Sequence, residues 1–496
     1  MIGLRGFSSR RLGGGIPARA GVAPQPAYAH TIAMKRFNPL ALSEFARFYG
    51  FHYDRIDAAG LVDDALAEMD RGLRGQDSSL PMIPAYISPA RGTTPGKTVI
   101  ALDAGGTNLR AARVTFDENG AAQAASLRKV PMPGTNGALG ADAFFDGIAA
   151  LAAPLIEAGG RVEGIGFCFS YPMRITEDAD GILTAFSKEV DAPQVVGRRI
   201  GAGLREALAR RNVRPPEKIV LLNDTAAALL AGLPACGAMA APLVGCILGT
   251  GFNTAYPETY IPKIGFDCPA APQIVVCESG SFAHGFMGAL DREHDCATKN
   301  PGTYALEKAS AGAYLGSLNF HITKQALRDG IFSFDRQDEF MALPALHTKD
   351  LNAFLREPSA QTSLLGELFA DHEQDARQSF EYIASIITQR AALLCAAMVA
   401  ATAEKAAECG RAQGLCASSP VRIAVEGTTY MAYKGMRSAL ESYLHVMLNR
   451  HRPQAYIITP AEQASLLGAA AAVAGTRSNT ETAAAPSPLR ARGAGF

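Results

Sequence analysis

Leu102-Asp-Ala-Gly-Gly-Thr-Asn-Leu-Arg110 is a glycine-rich stretch that joins two apolar runs, residues 98–102 and 110–116. Short apolar runs bounded by turn residues are typical of buried strands, so the stretch predicts a strand, a tight turn and a second strand. Gly105 and Gly106 tolerate positive φ and let backbone N–H groups approach an anion closely. The same glycine pair also suits an ordinary β-hairpin, so these residues alone leave both interpretations open.

Polar side chains beside these glycines suit a nucleotide. Thr107 and Asn108 would add donors to those of the backbone, and Asp103 stands at the end of the first apolar run. Mg²⁺ prefers oxygen ligands and keeps much of its water shell, so we expect Asp103 to hold it through water. The chain contains no GxxxxGK[ST] motif, so a Walker-type nucleotide site is excluded.

Further apolar runs alternate with helical patterns along the chain. The runs are residues 164–169, 219–222, 244–248 and 421–425, and the helical patterns are residues 142–158, 197–211, 226–233 and 374–409. Strands interleaved with helices predict a layered α/β fold. Glycine turns follow two more of the runs, at residues 249–251 and 426–428. Ligands of such folds bind at the carboxyl ends of strands, so these turns predict one shared phosphate-binding cleft.

Val220-Leu-Leu-Asn-Asp224 carries an apolar strand to two polar residues at the start of a helical pattern. Asp224 suits the N-cap of that helix. It equally suits a general base that takes the proton of a substrate hydroxyl during phosphoryl transfer, where catalysis is mostly positioning and electrostatics. The strand and helix alone do not decide between these roles.

Composition excludes some classes of partner and site. The formal charge is +0, so we expect neither nucleic acid nor a membrane surface as the main partner. The longest apolar stretch, residues 391–403, is too short to span a bilayer and predicts the buried part of a long helix. The nine cysteines show no zinc-ligand spacing, which favours reduced, mostly buried thiols.

Six motifs in one order give the chain a likeness to a known family. They are Ser79-Leu-Pro-Met-Ile-Pro-Ala-Tyr-Ile87, the stretch 102–110, Gly166-Phe-Cys-Phe-Ser-Tyr-Pro172, Leu222-Asn-Asp-Thr225, Gly249-Thr-Gly-Phe-Asn-Thr-Ala-Tyr256, and Asn300-Pro-Gly-Thr-Tyr-Ala-Leu-Glu-Lys308 followed by Gly312-Ala-Tyr-Leu-Gly316. On these motifs the chain resembles the hexokinase family, which includes glucokinase, over residues 61–474.

The likeness implies a role for each matching position. Asp224 would be the catalytic base, and Lys188 would help to neutralise the transferred phosphoryl group. The hexose would be bound by Ser170, Ser187, Lys188, Asn223, Asp224, Asn253, Glu278 and Glu307. The nucleotide would be bound by Asp103, Gly105, Gly106, Thr107, Asn108, Arg110, Gly249, Thr250, Gly251, Gly427 and Thr428, with Asp103 assisting Mg²⁺.

The likeness also implies an α/β fold: a two-domain actin-like ATPase (ribonuclease H-like) fold with a hinged cleft. The large domain would hold residues 38–96 and 224–458, and the small domain residues 97–223 and 459–475. The ends, residues 1–37 and 476–496, show no periodicity and predict disorder. The N-terminal end is basic and lacks acidic residues, which also suits an organelle transit peptide, but we favour a cytoplasmic protein.

The implied activity is ATP-dependent phosphorylation of a hexose, glucose first, at its 6-hydroxyl, giving hexose 6-phosphate for glycolysis. The alternatives are a catalytically weak hexose sensor of the same fold and a hexose-independent ATPase. The sequence leaves the oligomeric state open.

This chain departs from the family pattern at several positions near the expected site. It has Tyr171 where the family has Phe, Ser187 where Thr is usual, and Glu426 where Asp is usual. The family usually has Trp after Glu278, whereas this chain contains no Trp at all. A glycine-rich motif expected at residues 461–468 is reduced to Gly468. These changes bear on affinity and donor preference more than on the type of reaction.

Overall fold

The computed structural model describes residues 36–89, 95–186, 190–233, 241–358, 360, 363–369 and 373–475. The disorder predicted for residues 1–37 and 476–496 therefore falls outside the described residues, except at residues 36 and 37. Phe37 already packs edge-on against Tyr382, with ring centroids 5.9 Å apart. The eight cysteines in the described part of the chain are free, as their spacing predicts.

The N-terminal elements pack against a large hydrophobic core. They are α1 Pro39–Phe48, α2 Ala58–Leu73 and β1 Ile83–Pro84. Asn38 caps α1 and Asp57 caps α2, each by accepting hydrogen bonds from free N–H groups of the first turn. The apolar faces of both helices, including Phe45 and Met69, are buried in this core.

A five-stranded sheet follows. Its part of the chain contains β2 Thr98–Gly105, β3 Asn108–Phe116, β4 Ala122–Pro131, α3 Ala141–Glu157, β5 Gly164–Phe169, β6 Met173–Ile175, β7 Gly181–Leu183, α4 Ile200–Arg210 and β8 Lys218–Leu222. The strand order is β4-β3-β2-β5-β8, with β2, β3 and β4 antiparallel and β5 and β8 parallel to β2. α3 and α4 cover one face, where Phe144, Phe145 and Leu204 are buried.

A second sheet lies in the C-terminal half. That half contains α5 Asp224–Ala231, β9 Leu243–Leu248, β10 Phe252–Glu258, β11 Tyr260–Ile261, β12 Phe266–Asp267, β13 Gln273–Val276, α6 Ala289–Cys296, α7 Ala305–Ser310, α8 Leu315–Arg328, α9 Gln337–Ala342, α10 Thr348–Arg356, α11 Leu364–Leu368, α12 Gln374–Ala412, β14 Val421–Glu426, α13 Thr428–Ala432, α14 Met436–Val446, β15 Tyr456–Pro460 and α15 Ala464–Gly475. The sheet order is β1-β13-β10-β9-β14-β15.

The two sheets share one strand plan. In each, three consecutive antiparallel strands are followed by two parallel strands: β4-β3-β2 with β5 and β8, and β13-β10-β9 with β14 and β15. β1 only extends the outer edge of the second sheet. The first two strands of each sheet form a hairpin, and the glycine stretches 105–106 and 249–251 lie at the turns of these hairpins. The strands and helices that the sequence predicts are therefore present, and the topology brings the two turns into equivalent places.

Helices α5 and α15 lie between the sheets. They share a core with the inner faces of both sheets, which contribute Val99 and Ala101 from β2 and Ile274 from β13. A Cβ on Gly468 of α15 would lie 1.9 Å from the carbonyl oxygen of Ala227 in α5. The single glycine left from the expected motif is therefore the one at which α15 meets the backbone of α5.

The longest helix is part of the interior. Among the described residues α12 alone is long and apolar enough to cross a membrane, but 89% of its most apolar window is buried inside the protein. Residues 391–403 lie within it, as predicted. Its Arg390 is fully buried and pairs with Asp291 through two hydrogen bonds of 2.6 Å, which holds α6 against α12.

Candidate active site

The first glycine turn closes the β2–β3 hairpin. Gly105 pairs with Asn108, so Gly106 and Thr107 are the two central residues of the turn. Gly106 has φ +61°, a conformation that L side chains rarely adopt. Thr107 is exposed, and Asn108 donates a weak hydrogen bond to its hydroxyl at 3.3 Å. The turn therefore presents small or polar groups to the outside.

Asp103 is buried two residue pairs behind the Gly105–Asn108 pair that closes this turn. Its side chain accepts from Arg110 Nε at 2.7 Å, across the two strands, and Arg110 also approaches it through a second guanidinium nitrogen. Burial raises the pKa of Asp103, while the neighbouring guanidinium lowers it. Asp103 and Arg110, both predicted for the nucleotide, are thus joined as an ion pair.

Asp224 begins α5 at the end of β8. The N-cap of this helix is Asn223, whose Oδ1 accepts from Thr225 N–H at 2.7 Å. The N-cap role considered for Asp224 is therefore wrong, because its neighbour already performs it. Asp224 is the first residue of the helix, half-buried, and accepts from the Thr225 hydroxyl at 3.2 Å.

Glu278 and Asn253 form a polar pair on the second sheet. Asn253 Nδ2 donates to Glu278 Oε1 at 3.0 Å, and Asn253 Oδ1 accepts from the N–H groups of Thr254 and Ser279. These bonds fix the amide orientation that directs its nitrogen at the carboxylate. Glu278 has φ +59°, which is unusual for a non-glycine residue and occurs often at functional sites. Burial raises the pKa of Glu278 to about 7.

Glu307 lies in the first turn of α7. Its Oε2 accepts from Phe252 N–H at 3.2 Å, and a Cβ on Gly251 would lie only 2.6 Å from the same oxygen. Gly251 therefore leaves the space that the carboxylate occupies. Burial raises the pKa of Glu307 as well.

Residues of two other segments donate hydrogen bonds to the carbonyl oxygens of the second glycine turn. Gly249 O accepts from Gly312 N–H at 2.8 Å and from the Thr429 hydroxyl at 2.7 Å, and Thr250 O accepts from Ala313 N–H at 3.0 Å. Gly427 lies against Gly249, and Thr428 beside it is exposed. The sequence predicted Thr428 for the nucleotide but missed Thr429. No local pattern could have marked Thr429, because its partner is 180 residues away.

Glu426 is the last residue of β14. Burial together with the negative charge of Asp103 raises the pKa of Glu426 to about 7. The sequence noted Glu426 only as a departure from the family pattern. The charge effect shows that the structure brings its carboxylate near that of Asp103.

The carboxylates from both sheets converge around Asp224. Its negative charge helps to raise the pKa values of Asp103 and Glu426 on one side and of Glu278 and Glu307 on the other. Like charges raise each other's pKa only at short range, so these carboxylates lie near Asp224. Ser170 lies close to the first glycine turn, since its hydroxyl is 4.0 Å from the position of a Cβ on Gly105.

Two of the predicted site residues, Ser187 and Lys188, lie outside the described residues. Within the described part of the chain, no group of three or more His, Cys, Asp or Glu side chains is arranged to ligate a metal directly.

Comparison with known proteins finds relatives that are described as hexokinases. Two family models described as hexokinase match it, one over residues 47–233 and the other over residues 243–475. Hexokinase-1 of Oryza sativa subsp. japonica is 30% identical over 444 residues, which cover 83% of this chain and 87% of that protein. Hexokinase-7 of the same plant is 29% identical over 437 residues, covering 83% and 92%.

Solved structures match the fold along most of the chain. A hexokinase from Schistosoma mansoni complexed with glucose overlays with a TM-score of 0.70 at 22% identity, covering 88% of this chain and all of that one (100%). A further hexokinase crystal structure gives a TM-score of 0.67 at 23% identity, covering 88% and 99%. These overlays confirm the predicted two-domain α/β fold of the actin-like type.

Proposed function

Since the chain belongs to the hexokinase family, we propose that glucose is its principal acceptor and that the 6-hydroxyl receives the γ-phosphoryl group of ATP. Phosphorylation of a hexose, as a hexokinase-type phosphotransferase, follows from the family itself. The observation that supports the finer assignment is the position of Asp224, whose charge raises the pKa values of carboxylates from both sheets.

Asp224 is the base of the proposed reaction. Asn223 caps α5, so the helix does not need Asp224 for that role, and we assign its carboxylate as the acceptor of the sugar hydroxyl proton. A single aligned carboxylate suffices for phosphoryl transfer, since most of the catalysis comes from positioning the two reactants and neutralising charge. In the proposal, the acceptor hydroxyl and the terminal phosphate of ATP meet at this carboxylate.

The sugar site is built from carboxylates that accept hydroxyl protons. Asn253 supplies a donor and Glu278 and Glu307 supply acceptors, all held by the hydrogen bonds described above. A closed site that is built to hydrogen-bond hydroxyls rejects ligands that lack them, because the buried polar groups are then left unpaired. Asn223 and Ser170 lie nearby, and the proposal assigns Ser187 and Lys188 to the same sugar.

The two glycine turns would hold the phosphates of ATP, and Gly427 and Thr428 would adjoin its adenosine. The oxygen-rich wall of Asp103, Asp224 and Glu426 suits Mg²⁺, a hard cation that favours oxygen ligands and retains water. Without a direct three-ligand group among the described residues, the ion would be held by the nucleotide and reach Asp103 through water. Bound there, Mg²⁺ would supply charge neutralisation for the transferred phosphoryl group.

Closure of the cleft completes the proposal. The domains would be residues 38–96 with 224–458 and residues 97–223 with 459–475, and sugar binding would bring them together. Expelling water protects ATP, because water is as good a nucleophile as a sugar hydroxyl. We further assign the reaction to the cytoplasm and its product to glycolysis.

A coupled assay with a panel of hexoses tests the proposal. ADP formation is followed at fixed Mg·ATP with glucose, fructose, mannose, glucosamine or no sugar. We expect turnover only with a hexose, and the highest kcat/KM with glucose. Hexose binding without turnover would favour the sensor, and hydrolysis without any hexose would favour an ATPase; either result refutes the proposed reaction. A higher kcat/KM for another hexose would refute the assignment of glucose alone.

A further inference from the structure

Tyr171 lies where the segment after β5 passes the first glycine turn. The parallel pairing of β2 with β5 continues one step beyond β5, since Ser170 N–H donates to Ala104 O at 3.0 Å. The next residue is therefore held beside the end of β2. Tyr171 is only 3% exposed, and its ring contacts those of Phe169 and Phe186, with centroids 4.9 and 5.3 Å away.

The hydroxyl of Tyr171 reaches from this aromatic cluster to the turn. It donates to the carbonyl oxygen of Gly106 at 2.7 Å. Burial and the nearby Asp103 raise the pKa of Tyr171 to about 12, so the phenol keeps the proton that it donates. A Phe at this position, as in the family pattern, would fill the same aromatic cluster but would not make this bond.

The hydrogen bond from Tyr171 sets the direction of the peptide between Gly106 and Thr107. In a trans peptide the C=O and the N–H point in opposite directions. Because Gly106 O points inward to Tyr171, the N–H of Thr107 in the same peptide points outward, at the exposed side of the turn. Met132 N–H donates to Thr107 O at 2.9 Å and fixes the following peptide. The turn is thus held in a shape that directs the N–H of Thr107 outward, as an anion-binding turn requires.

We propose that Tyr171 is a positioning residue for nucleotide phosphate, which fixes the first glycine turn in its anion-binding shape through the hydroxyl bond to Gly106. The inference rests on the proposed function in one respect only, that this turn holds phosphate. A Phe at this position has no hydroxyl and could not make this hydrogen bond to the first glycine turn. Loss of one such bond corresponds to about a 2- to 12-fold change in an equilibrium constant.

The test is Tyr171→Phe, measured by calorimetric titration rather than by turnover. We expect the Kd for Mg·ADP to rise about 2- to 12-fold, while the Kd for glucose in the absence of nucleotide stays within about twofold, since Gly106 is not assigned to the sugar. In steady-state assays the KM for Mg·ATP should rise by a similar factor with little change in kcat, because the turn holds the phosphates in both the ground and transition states.

Tyr443→Phe is the matched control. It removes the 2.9 Å hydrogen bond from the Tyr443 hydroxyl to Gln389, between α14 and α12, which carry none of the residues assigned to the nucleotide, and should leave nucleotide affinity unchanged. An unchanged Kd for Mg·ADP in Tyr171→Phe, or an equal weakening of both ligands, would overturn the inference. A wild-type protein that binds both ligands but does not turn over would refute the proposed function and leave this comparison valid.

Discussion

Replacing Glu278 by Gln should stabilise the free protein at alkaline pH and weaken its hold on the sugar. The variant keeps an oxygen that can accept from Asn253 Nδ2, the bond that orients Glu278 at 3.0 Å. It removes a negative charge from a partly buried position beside Asp224 and Glu307. If ligand binding requires a charge at a position where the ligand-free protein is destabilised by it, the site is kept at a cost in stability.

The magnitude follows from the pKa. Burial raises the pKa of Glu278 from 4.5 to about 7, so the folded protein binds this proton more tightly than the unfolded chain does. Stability from the protonated group is fully present below pH 4.5 and is lost as the pH rises through 7. Between pH 5 and pH 8 the wild type should lose about 2–3 kcal/mol through this residue. The advantage of the Gln variant should grow by that amount over the same interval.

Thermal unfolding at pH 5, 6, 7 and 8 measures this difference. For a chain of this size about 2–3 kcal/mol corresponds to a shift of roughly 2–4 °C in Tm. We therefore expect the Tm gain of Glu278→Gln over the wild type to be that much larger at pH 8 than at pH 5. Calorimetric titration with glucose at pH 8 should show weaker binding, since a neutral amide accepts hydroxyl protons less strongly than a carboxylate.

Glu118→Gln is the control, because it removes an exposed carboxylate from the β3–β4 turn. Its Tm should follow that of the wild type at every pH. An equal Tm gain at pH 5 and pH 8 for Glu278→Gln would refute the reasoning, since it would mean that Glu278 is not protonated preferentially in the folded state. Unchanged glucose affinity would remove Glu278 from the sugar site.

Further predictions concern the proposed base Asp224, the buried Lys308 beside Glu307, and the contact of α15 with α5. Asp224→Asn should lower kcat by about 10²–10⁴ while the glucose Kd stays within a few-fold, and near-normal kcat would exclude Asp224 as the base. Lys308 adjoins Glu307 in the chain, is buried, and donates to Asp295 and to Asn300 O. Lys308→Met should therefore lower the free energy of unfolding by about 3–5 kcal/mol and raise the glucose KM. An unaltered KM would contradict this link to the sugar. Gly468→Ala should force α15 away from α5 and so lower the Tm. Because α5 begins with Asp224, the same change should also lower kcat. A variant with wild-type Tm and kcat would contradict this prediction, since it would show that the helices adjust freely.

Local pattern was enough to find β2, β3, β5, β8, β9, β14 and both glycine turns. The runs at 98–102 and 244–248 became β2 and β9, because a buried strand needs a short apolar stretch and a hairpin needs residues that can turn. β4 escaped detection because most of its side chains are exposed and carry no apolar alternation. The shared plan of the two sheets also left no repeat in the sequence, since strand order depends on backbone pairing, which many side chains permit.

The sequence by itself determined the α/β fold, the family and the residue types of the site. Only the tertiary structure decided which residue caps α5, which groups hold Gly249 from behind, and that the Tyr171 hydroxyl supports Gly106. The physical reason is the range of the interactions. Turn chemistry and hydrophobic periodicity act between neighbours in the chain, whereas raised carboxylate pKa values and hydrogen bonds between distant segments exist only once those segments have packed together.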